Sequence, residues 1–163
     1  MSLIAISLGS NVGDRLCLLE KAVLAISEDV GTIIKQSEIY ETQSWGYQGG
    51  NFLNMAVLVK TEAFPQTVLQ TLLEIERRLG RVRGTKTYSD RSIDLDILFY
   101  GTEIVKLPEL EIPHPRIPER LFVLYPLIDI YPEWIHPILH KTIHEMVTEC
   151  NDQCWIQPYG EPK

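Results

Sequence analysis

The feature that most constrains this chain is a segment in which carboxylate and apolar residues alternate, Ser-Ile-Asp-Leu-Asp-Ile-Leu-Phe at 92–99. Alternation with a period of two is typical of a β-strand that buries one face. In such a strand Asp94 and Asp96 share a face and lie roughly 6–7 Å apart. The opposite, core face is expected to carry Ile93, Leu95, Ile97 and Phe99. The segment therefore predicts a strand that presents two neighbouring carboxylates.

Apolar runs bounded by turn residues predict the rest of the core. Strands are predicted at 3–8, 32–40, 52–61 and 92–100. A helix capped by Asp14 and ended at Gly31 separates the first two strands, and a helix from Pro65 to Leu79 separates the last two. This order predicts an α+β fold with a ferredoxin-like β-α-β-β-α-β core and its helices on one face.

The C-terminal third is expected to elaborate this core. Four prolines fall between Pro108 and Pro118, so this Pro-rich segment is expected to wrap the surface as a lid or wall. Two short helices are expected near 119–124 and 141–149, and a loosely attached tail from about 150 to 163. The length of 163 residues fits a single domain over 1–163.

The charge distribution points to a small anionic ligand. The net charge is −7, which disfavours a general nucleic-acid binder, yet six of fifteen Lys and Arg residues lie between 77 and 91. Arg81, Arg83 and Arg91 bracket a polar loop there, and guanidinium groups bind phosphate oxygens with paired hydrogen bonds. Two adjacent carboxylates favour a hard cation such as Mg²⁺. A phosphate and metal site is predicted; surface ion pairs and a solvated strand face are the alternatives.

Other segments carry weaker signals. Phe52 and Asn54 share a strand face, and with Phe122 they suit a flat heteroaromatic ring, although each aromatic is also a candidate core residue. Glu76 lies on the buried stripe of its helix and needs a partner, for example an arginine of the following loop; otherwise it is a charge at the stripe edge. The turn at 9–14 lacks the lysine of a phosphate loop, so it is expected to cap the following helix. Lining the edge of the site is the alternative role for this turn.

Several classes of protein are disfavoured. Pro137 interrupts the spacing of His136, His140 and His144, so zinc is not expected. No apolar run is long enough to span a membrane, and the N-terminus does not read as a signal peptide. Three cysteines without a C-x-x-C pair fit a reducing compartment. The chain is expected to be cytoplasmic and monomeric, with no membrane or nucleic-acid partner.

Taken together, these segments resemble the family of 6-hydroxymethyl-7,8-dihydropterin pyrophosphokinases over residues 3–149. The resemblance is strongest in the aspartate strand followed by Ile-Pro-His-Pro at 112–115. The other matching stretches are L-G-S-N-V-G-D at 8–14, Y-E-T at 40–42, F-L-N-M-A-V at 52–57, L-G-R-V-R at 79–83 and R-L-F-V-L-Y-P-L at 120–127.

The resemblance implies a transfer of diphosphate from ATP to the pterin alcohol, giving AMP and the pterin diphosphate for folate synthesis. It implies two Mg²⁺ ions at Asp94 and Asp96. The residues that it assigns to the pterin are Thr42, Phe52, Asn54 and Phe122. It assigns Glu76, Arg81, Arg83, His114 and Arg120 to the ATP side, with Arg81 and Arg91 acting during transfer.

The loop before the aspartate strand departs from the family pattern R-W-G-P-R, since this chain reads Thr-Tyr-Ser-Asp-Arg at 87–91. We therefore expect activity with a weaker or differently arranged grip on ATP. Two rivals stay open. One is a ferredoxin-like RNA-binding module, which the two aspartates on the open face disfavour. The other is an enzyme of the same fold that transfers nucleotidyl or phosphoryl groups to another acceptor.

Overall fold

The computed structural model describes residues 1–43, 50–80 and 93–160. In chain order the elements are β1 (Ser2–Ser10), α1 (Arg15–Asp29), β2 (Thr32–Gln36), β3 (Tyr40–Thr42), β4 (Phe52–Thr61), α2 (Pro65–Arg78), β5 (Asp94–Tyr100), β6 (Val105–Leu107), β7 (Leu110–Ile112), a 3₁₀ turn (Ile117–Glu119), α3 (Leu121–Ile130), α4 (Ile143–Glu149) and β8 (Ile156–Pro158). The prediction of a mixed helix and sheet fold is confirmed.

The described strands form one antiparallel sheet in the order β5-β1-β4-β3-β8, with β2 also pairing with β4, and a separate β6–β7 hairpin. The long strand β4 lies at its centre and pairs along its length with β1. Leu53 to Val59 of β4 are all buried. The sheet is therefore covered on both faces at its middle.

The two long helices begin and end close to the positions that capping residues in the sequence predicted. The side chain of Asp14 accepts a hydrogen bond from the N–H of Cys17 at 3.1 Å, so Asp14 caps α1. Helix α2 begins at Pro65 and is followed by Gly80, whose φ of +93° suits glycine at a helix end. Both helices pack on one face of the sheet, where Leu19, Ile26 and Leu72 join its largest apolar cluster.

The single strand predicted at 32–40 is two strands, and this prediction is wrong. The register of β2 against β4 shifts between Ile33 and Lys35, and pairing is interrupted at Ser37. The Ser37 side chain accepts from the N–H of Ala56 at 2.8 Å, taking the place of a main-chain carbonyl. The chain then resumes pairing as β3.

The predicted face of Phe99 is also wrong. A register shift between Ala5 and Ile6 of β1 leaves Leu98 out of the β1–β5 pairing. Such an irregularity changes which face the following side chain occupies. Ile97 therefore packs on the side of α1 and α2, whereas Phe99 lies in the opposite cluster and stacks on Trp134 with ring centroids 4.5 Å apart.

That opposite face is covered by α3 and α4, which follow the predicted core, whereas α1 and α2 both pack on the other face. Helix α3 begins at Leu121 and continues to Ile130, beyond the predicted end, with Pro126 inside it. Burial of Val123, Leu124 and Leu127 outweighs the hydrogen bond that this proline cannot donate.

The tail expected to be loosely attached adds an edge strand instead, because β8 pairs with β3. Among the helices within the described ranges, none is long and apolar enough to cross a membrane.

Candidate active site

A cavity of about 710 Å³, including its open mouth, lies on the sheet face that carries α3. It is lined by eight residues that the sequence had singled out: Thr42, Phe52, Asn54, Asp94, Asp96, His114, Arg120 and Phe122. The other lining residues are Ser7, Leu8, Gly9, Gln43, Met55, Leu98 and Val123. Of these, only Gly9 lies in a segment whose sequence suggested the edge of a site. The other six were not assigned to a site from the sequence, and the fold brings them to the cavity from β1, β4, β5, α3 and the end of β3.

The two aspartates project from β5 into this cavity, each opposite a small residue of β1. Asp94 pairs with Gly9 and Asp96 with Ser7 in the antiparallel register. Both aspartates are half-buried, whereas Leu95 between them is buried on the other face. These small neighbours leave space around the carboxylates. Carboxylate oxygens are the ligands that Mg²⁺ prefers. Within the described residues, no group of three or more His, Cys, Asp or Glu side chains is arranged to hold a metal.

Glu76 lies behind this pair rather than among the described lining residues of the cavity. Its side chain is 2% exposed on α2, and one carboxylate oxygen accepts from the N–H of Leu95 at 2.8 Å. The bond reaches the main chain between Asp94 and Asp96. A buried carboxylate requires such partners because its desolvation is costly. The structure thus gives Glu76 a main-chain partner that the sequence did not predict.

The aromatic part of the cavity has an amide at its edge. Asn54 Nδ2 donates to Thr42 Oγ1 at 2.8 Å, and both side chains are buried. This bond fixes the orientation of the amide. A Cβ at Gly9 would lie 3.1 Å from Asn54 Oδ1 and 3.5 Å from the Phe52 ring, so glycine leaves room for both groups. Phe52 and Phe122 are half-buried cavity residues from different elements.

Cationic and neutral donors complete the described lining. The guanidinium of Arg120 lies over the Phe122 ring, 5.5 Å from its centroid. The N–H of His114 donates to the carbonyl of Leu98 at 2.8 Å, which ties the Pro-rich segment to β5. Burial lowers the pKa of His114 to about 4, and the charge of Arg120 acts in the same direction. His114 is therefore neutral at pH 7.

The hydrogen bonding of His114 also sets its tautomer. Its Nδ1 accepts from the N–H of Arg116 at 3.1 Å. A neutral imidazole that accepts at Nδ1 carries its proton on Nε2. His114 thus offers the cavity an uncharged N–H donor.

The predicted phosphate-binding arginines Arg81, Arg83 and Arg91 lie outside the described residues, as do Lys86 to Asp90 of the unusual loop. Their assignment stays a prediction from the sequence.

Comparison with known proteins adds three findings. The family model described as 7,8-dihydro-6-hydroxymethylpterin-pyrophosphokinase (HPPK) matches residues 5–132. The 2-amino-4-hydroxy-6-hydroxymethyldihydropteridine pyrophosphokinase of Aquifex aeolicus is 39% identical over 150 residues, covering 91% of this chain and 92% of the relative. The protein of the same description from Porphyromonas gingivalis is 43% identical over 141 residues, covering 84% of this chain and 95% of the relative.

Among solved structures, an HPPK-DHPS triple mutant of Plasmodium falciparum with SDX-DHP matches with a TM-score of 0.72 and 20% identity over 91% of this chain. This chain spans 44% of the length of that protein. At this identity the likeness shows a shared fold.

Proposed function

The chain belongs to the 7,8-dihydro-6-hydroxymethylpterin-pyrophosphokinase family, and we propose that it transfers diphosphate from ATP to 6-hydroxymethyl-7,8-dihydropterin. The products are AMP and the pterin diphosphate, and the reaction is a step of folate biosynthesis. The observation that carries the proposal is a single cavity that combines an aromatic pair, an oriented amide and two carboxylates. The first two suit a pterin ring, and the third suits the Mg²⁺ of a nucleotide.

The pterin is assigned to the aromatic part of the cavity. Phe52 and Phe122 stack on its two faces, and Asn54 and Thr42 hydrogen-bond its polar edge. An oriented amide discriminates well because a ring lacking the matching donor or acceptor leaves a buried polar group unpaired. The bond between Asn54 and Thr42 supports this role, since it fixes which atoms of the amide face the ring.

The nucleotide phosphates are assigned to the carboxylate side. Asp94 and Asp96 would hold two Mg²⁺ ions, which supply positive charge at the phosphate oxygens when bound. His114 donates a hydrogen bond without adding charge, and Arg120 adds a cation at the junction with the pterin pocket. Arg81 and Arg83 are assigned to the ATP phosphates, and Arg81 and Arg91 to charge that builds up during transfer. Glu76 is assigned to the ATP side of the cavity because its carboxylate accepts a hydrogen bond from the main chain of the strand that carries Asp94 and Asp96.

The reaction needs positioning more than it needs a nucleophilic side chain. The hydroxymethyl oxygen of the substrate releases its proton to solvent and forms a bond to the β-phosphorus, and the bond from the β-phosphorus to the oxygen shared with the α-phosphate breaks. AMP leaves with the bonding electron pair. Because both reactants bind in one cavity, the chain contributes mainly orientation and charge neutralisation.

The proposal also covers the fold of the core, the oligomeric state and the cellular location. The strand order β5-β1-β4, with β2 on the other side of β4, supports a ferredoxin-like core to which the Pro-rich segment and β8 are added. A monomer that binds small-molecule substrates is part of the proposal. A cytoplasmic location is proposed from the need for ATP and from Cys17, Cys150 and Cys154, which are free thiols.

The identity of the products tests this function. Purified protein is incubated with Mg-ATP and 6-hydroxymethyl-7,8-dihydropterin, and the nucleotides are separated. AMP that accumulates only with the pterin is expected. ADP would indicate phosphoryl transfer and free diphosphate would indicate nucleotidyl transfer, and either would replace the proposal with the second rival. Omission of the pterin is the control for simple ATP hydrolysis.

A further inference from the structure

The first turn of α3, which brings Phe122 to the cavity, is held by a side chain from the far end of the chain. The N-cap residue of α3 is Arg120, and an arginine side chain has no acceptor for helix N–H groups. Instead, Asp152 Oδ2 accepts from the N–H of Leu121 at 3.1 Å. Leu121 stands between Arg120 and Phe122, both of which line the cavity. Asp152 therefore caps the turn that forms one wall.

The same carboxylate directs the chain towards the other wall. Asp152 Oδ1 accepts from the N–H of Cys154 at 2.9 Å, which closes a turn in the tail. The next N–H, of Trp155, donates to Oε1 of Gln43 at 2.9 Å. Gln43 follows β3 directly and lines the cavity. Within four residues the tail thus contacts both sides of the cavity.

Strand pairing extends the second contact. Ile156 of β8 lies opposite Thr42 of β3, the residue that orients Asn54. Beyond β8, the N–H of Tyr159 donates to the carbonyl of Ile39 at 2.8 Å, and its ring lies 5.8 Å from the guanidinium of Arg15. The tail is therefore fixed to β3 along its length. It also lies outside residues 5–132, the region matched by the family model.

We propose that residues 152–158 form a strap that fixes the separation of the two walls of the pterin pocket, with Asp152 as its positioning residue. The inference rests on the proposed function, since it assigns the cavity to a pterin. A flat ring stacked on both faces contacts each wall at about 3.5–4 Å, so small changes in separation cost contacts on one side. At one end the strap is hydrogen-bonded to α3, which carries Phe122. At the other end it is hydrogen-bonded to β3, which pairs with β4, the strand that carries Phe52.

The experiment compares three full-length variants. Asp152→Ala removes both accepted hydrogen bonds, and Asp152→Asn retains one carbonyl acceptor. Thr142→Ala is the matched control, because Thr142 caps α4 by accepting from the N–H of Glu145 at 3.1 Å, and α4 contributes no residue to the cavity lining. It removes a helix cap of similar stabilising effect without touching the strap.

Two kinds of measurement are made on each protein. Steady-state kinetics give KM for the dihydropterin and for ATP. We expect Asp152→Ala to raise the dihydropterin KM by about fivefold or more, with a smaller rise for Asp152→Asn, because misplaced binding groups weaken productive binding. The ATP KM is expected to stay within about twofold, and Thr142→Ala is expected to leave both KM values within about twofold, as for other substitutions that contact neither ligand.

Amide hydrogen exchange is the second measurement and needs no substrate. In Asp152→Ala, exchange is expected to accelerate both at 121–124 and at 40–43, because the strap couples the two walls. Acceleration at 121–124 alone would overturn the strap, as would a dihydropterin KM within about twofold of the parent, or an equal rise in Thr142→Ala. If the parent protein makes no pterin-dependent AMP, the proposed function fails, and the exchange pattern still decides whether the walls are coupled.

Discussion

The Glu76 carboxylate of α2 accepts a hydrogen bond at 2.8 Å from the N–H of Leu95, the residue between the two aspartates of β5. Substitution by alanine removes the acceptor and leaves a cavity at a site that is 2% exposed. We expect Glu76→Ala to lower the free energy of unfolding by about 1–3 kcal/mol and to lower kcat, because the aspartate strand shifts. Glu76→Gln retains an acceptor oxygen and is expected to keep more of both.

Urea unfolding and pterin-dependent AMP formation measure the two effects. Glu74, exposed on the same helix, provides a control as Glu74→Ala. Full activity in Glu76→Ala, at any stability, would show that the carboxylate does not position the aspartates.

The second prediction concerns the two aspartates of β5. Asp96→Ala is expected to abolish turnover and leave the fold intact, because it removes one of two carboxylates proposed to hold Mg²⁺ while the core face of β5 is unchanged. Turnover is measured at saturating Mg²⁺, and circular dichroism checks the fold. Asp29→Ala, which breaks an exposed ion pair with Arg78, is the control and is expected to remain active. Near-normal turnover in Asp96→Ala would remove the metal assignment.

The third prediction concerns Phe122, one of the two aromatic residues assigned to the pterin. Phe122→Ala is expected to weaken dihydropterin binding by more than about tenfold, since it removes one face of the sandwich and its buried area. ATP binding is expected to be retained. Phe64 is 76% exposed and is not among the described lining residues of the cavity, so Phe64→Ala is the control that also removes a ring. Titration calorimetry measures both ligands, and equal losses for pterin and ATP would contradict the sandwich.

A fourth prediction concerns pH and lies away from the site. Burial lowers the pKa of His136, and the nearby His140 acts in the same direction. Its Nδ1 accepts from the N–H groups of Ile138 and Leu139 at 3.2 and 3.1 Å, which requires the unprotonated atom. In the unfolded chain the histidine pKa is near 6.5. Below that pH the unfolded state binds more protons, so the contribution of His136 to stability is lost as the pH falls.

His136→Asn retains an acceptor near the position of Nδ1 but does not titrate. We therefore expect the free energy of unfolding of the parent to fall more steeply between pH 7 and pH 5 than that of the variant. Urea unfolding at several pH values measures the slopes. Parallel curves for the two proteins would show that His136 does not contribute to the pH dependence.

Much of the site could be predicted because its chemistry is local in sequence. The period of two placed Asp94 and Asp96 on one face, and the Asp14 cap and the start of α2 at Pro65 follow from side-chain chemistry within one turn. Eight predicted site residues line one cavity, although their individual roles stay predictions. The arginines 81, 83 and 91 lie outside the described residues.

Several of the errors originate in pairing between distant segments. A period of two contains no information about a register shift on a neighbouring strand, so the face of Phe99 was predicted wrongly. The partner of Glu76 is a main-chain N–H, which every residue except proline carries, and no side-chain pattern marks it. Strand β8 has three residues, too few for an alternating signal, and its partner β3 lies more than a hundred positions earlier.

Strand β4 has a consequence for how this enzyme can change during evolution. Seven consecutive residues, from Leu53 to Val59, are buried, and Asn54 stands among them with its amide at the cavity. A substitution at Asn54, which we assign to the edge of the pterin, would disturb the packing of the strand on which the other strands assemble. Selection on substrate preference therefore acts more freely on the cavity walls that come from β3 and α3, while the central strand is held constant by folding.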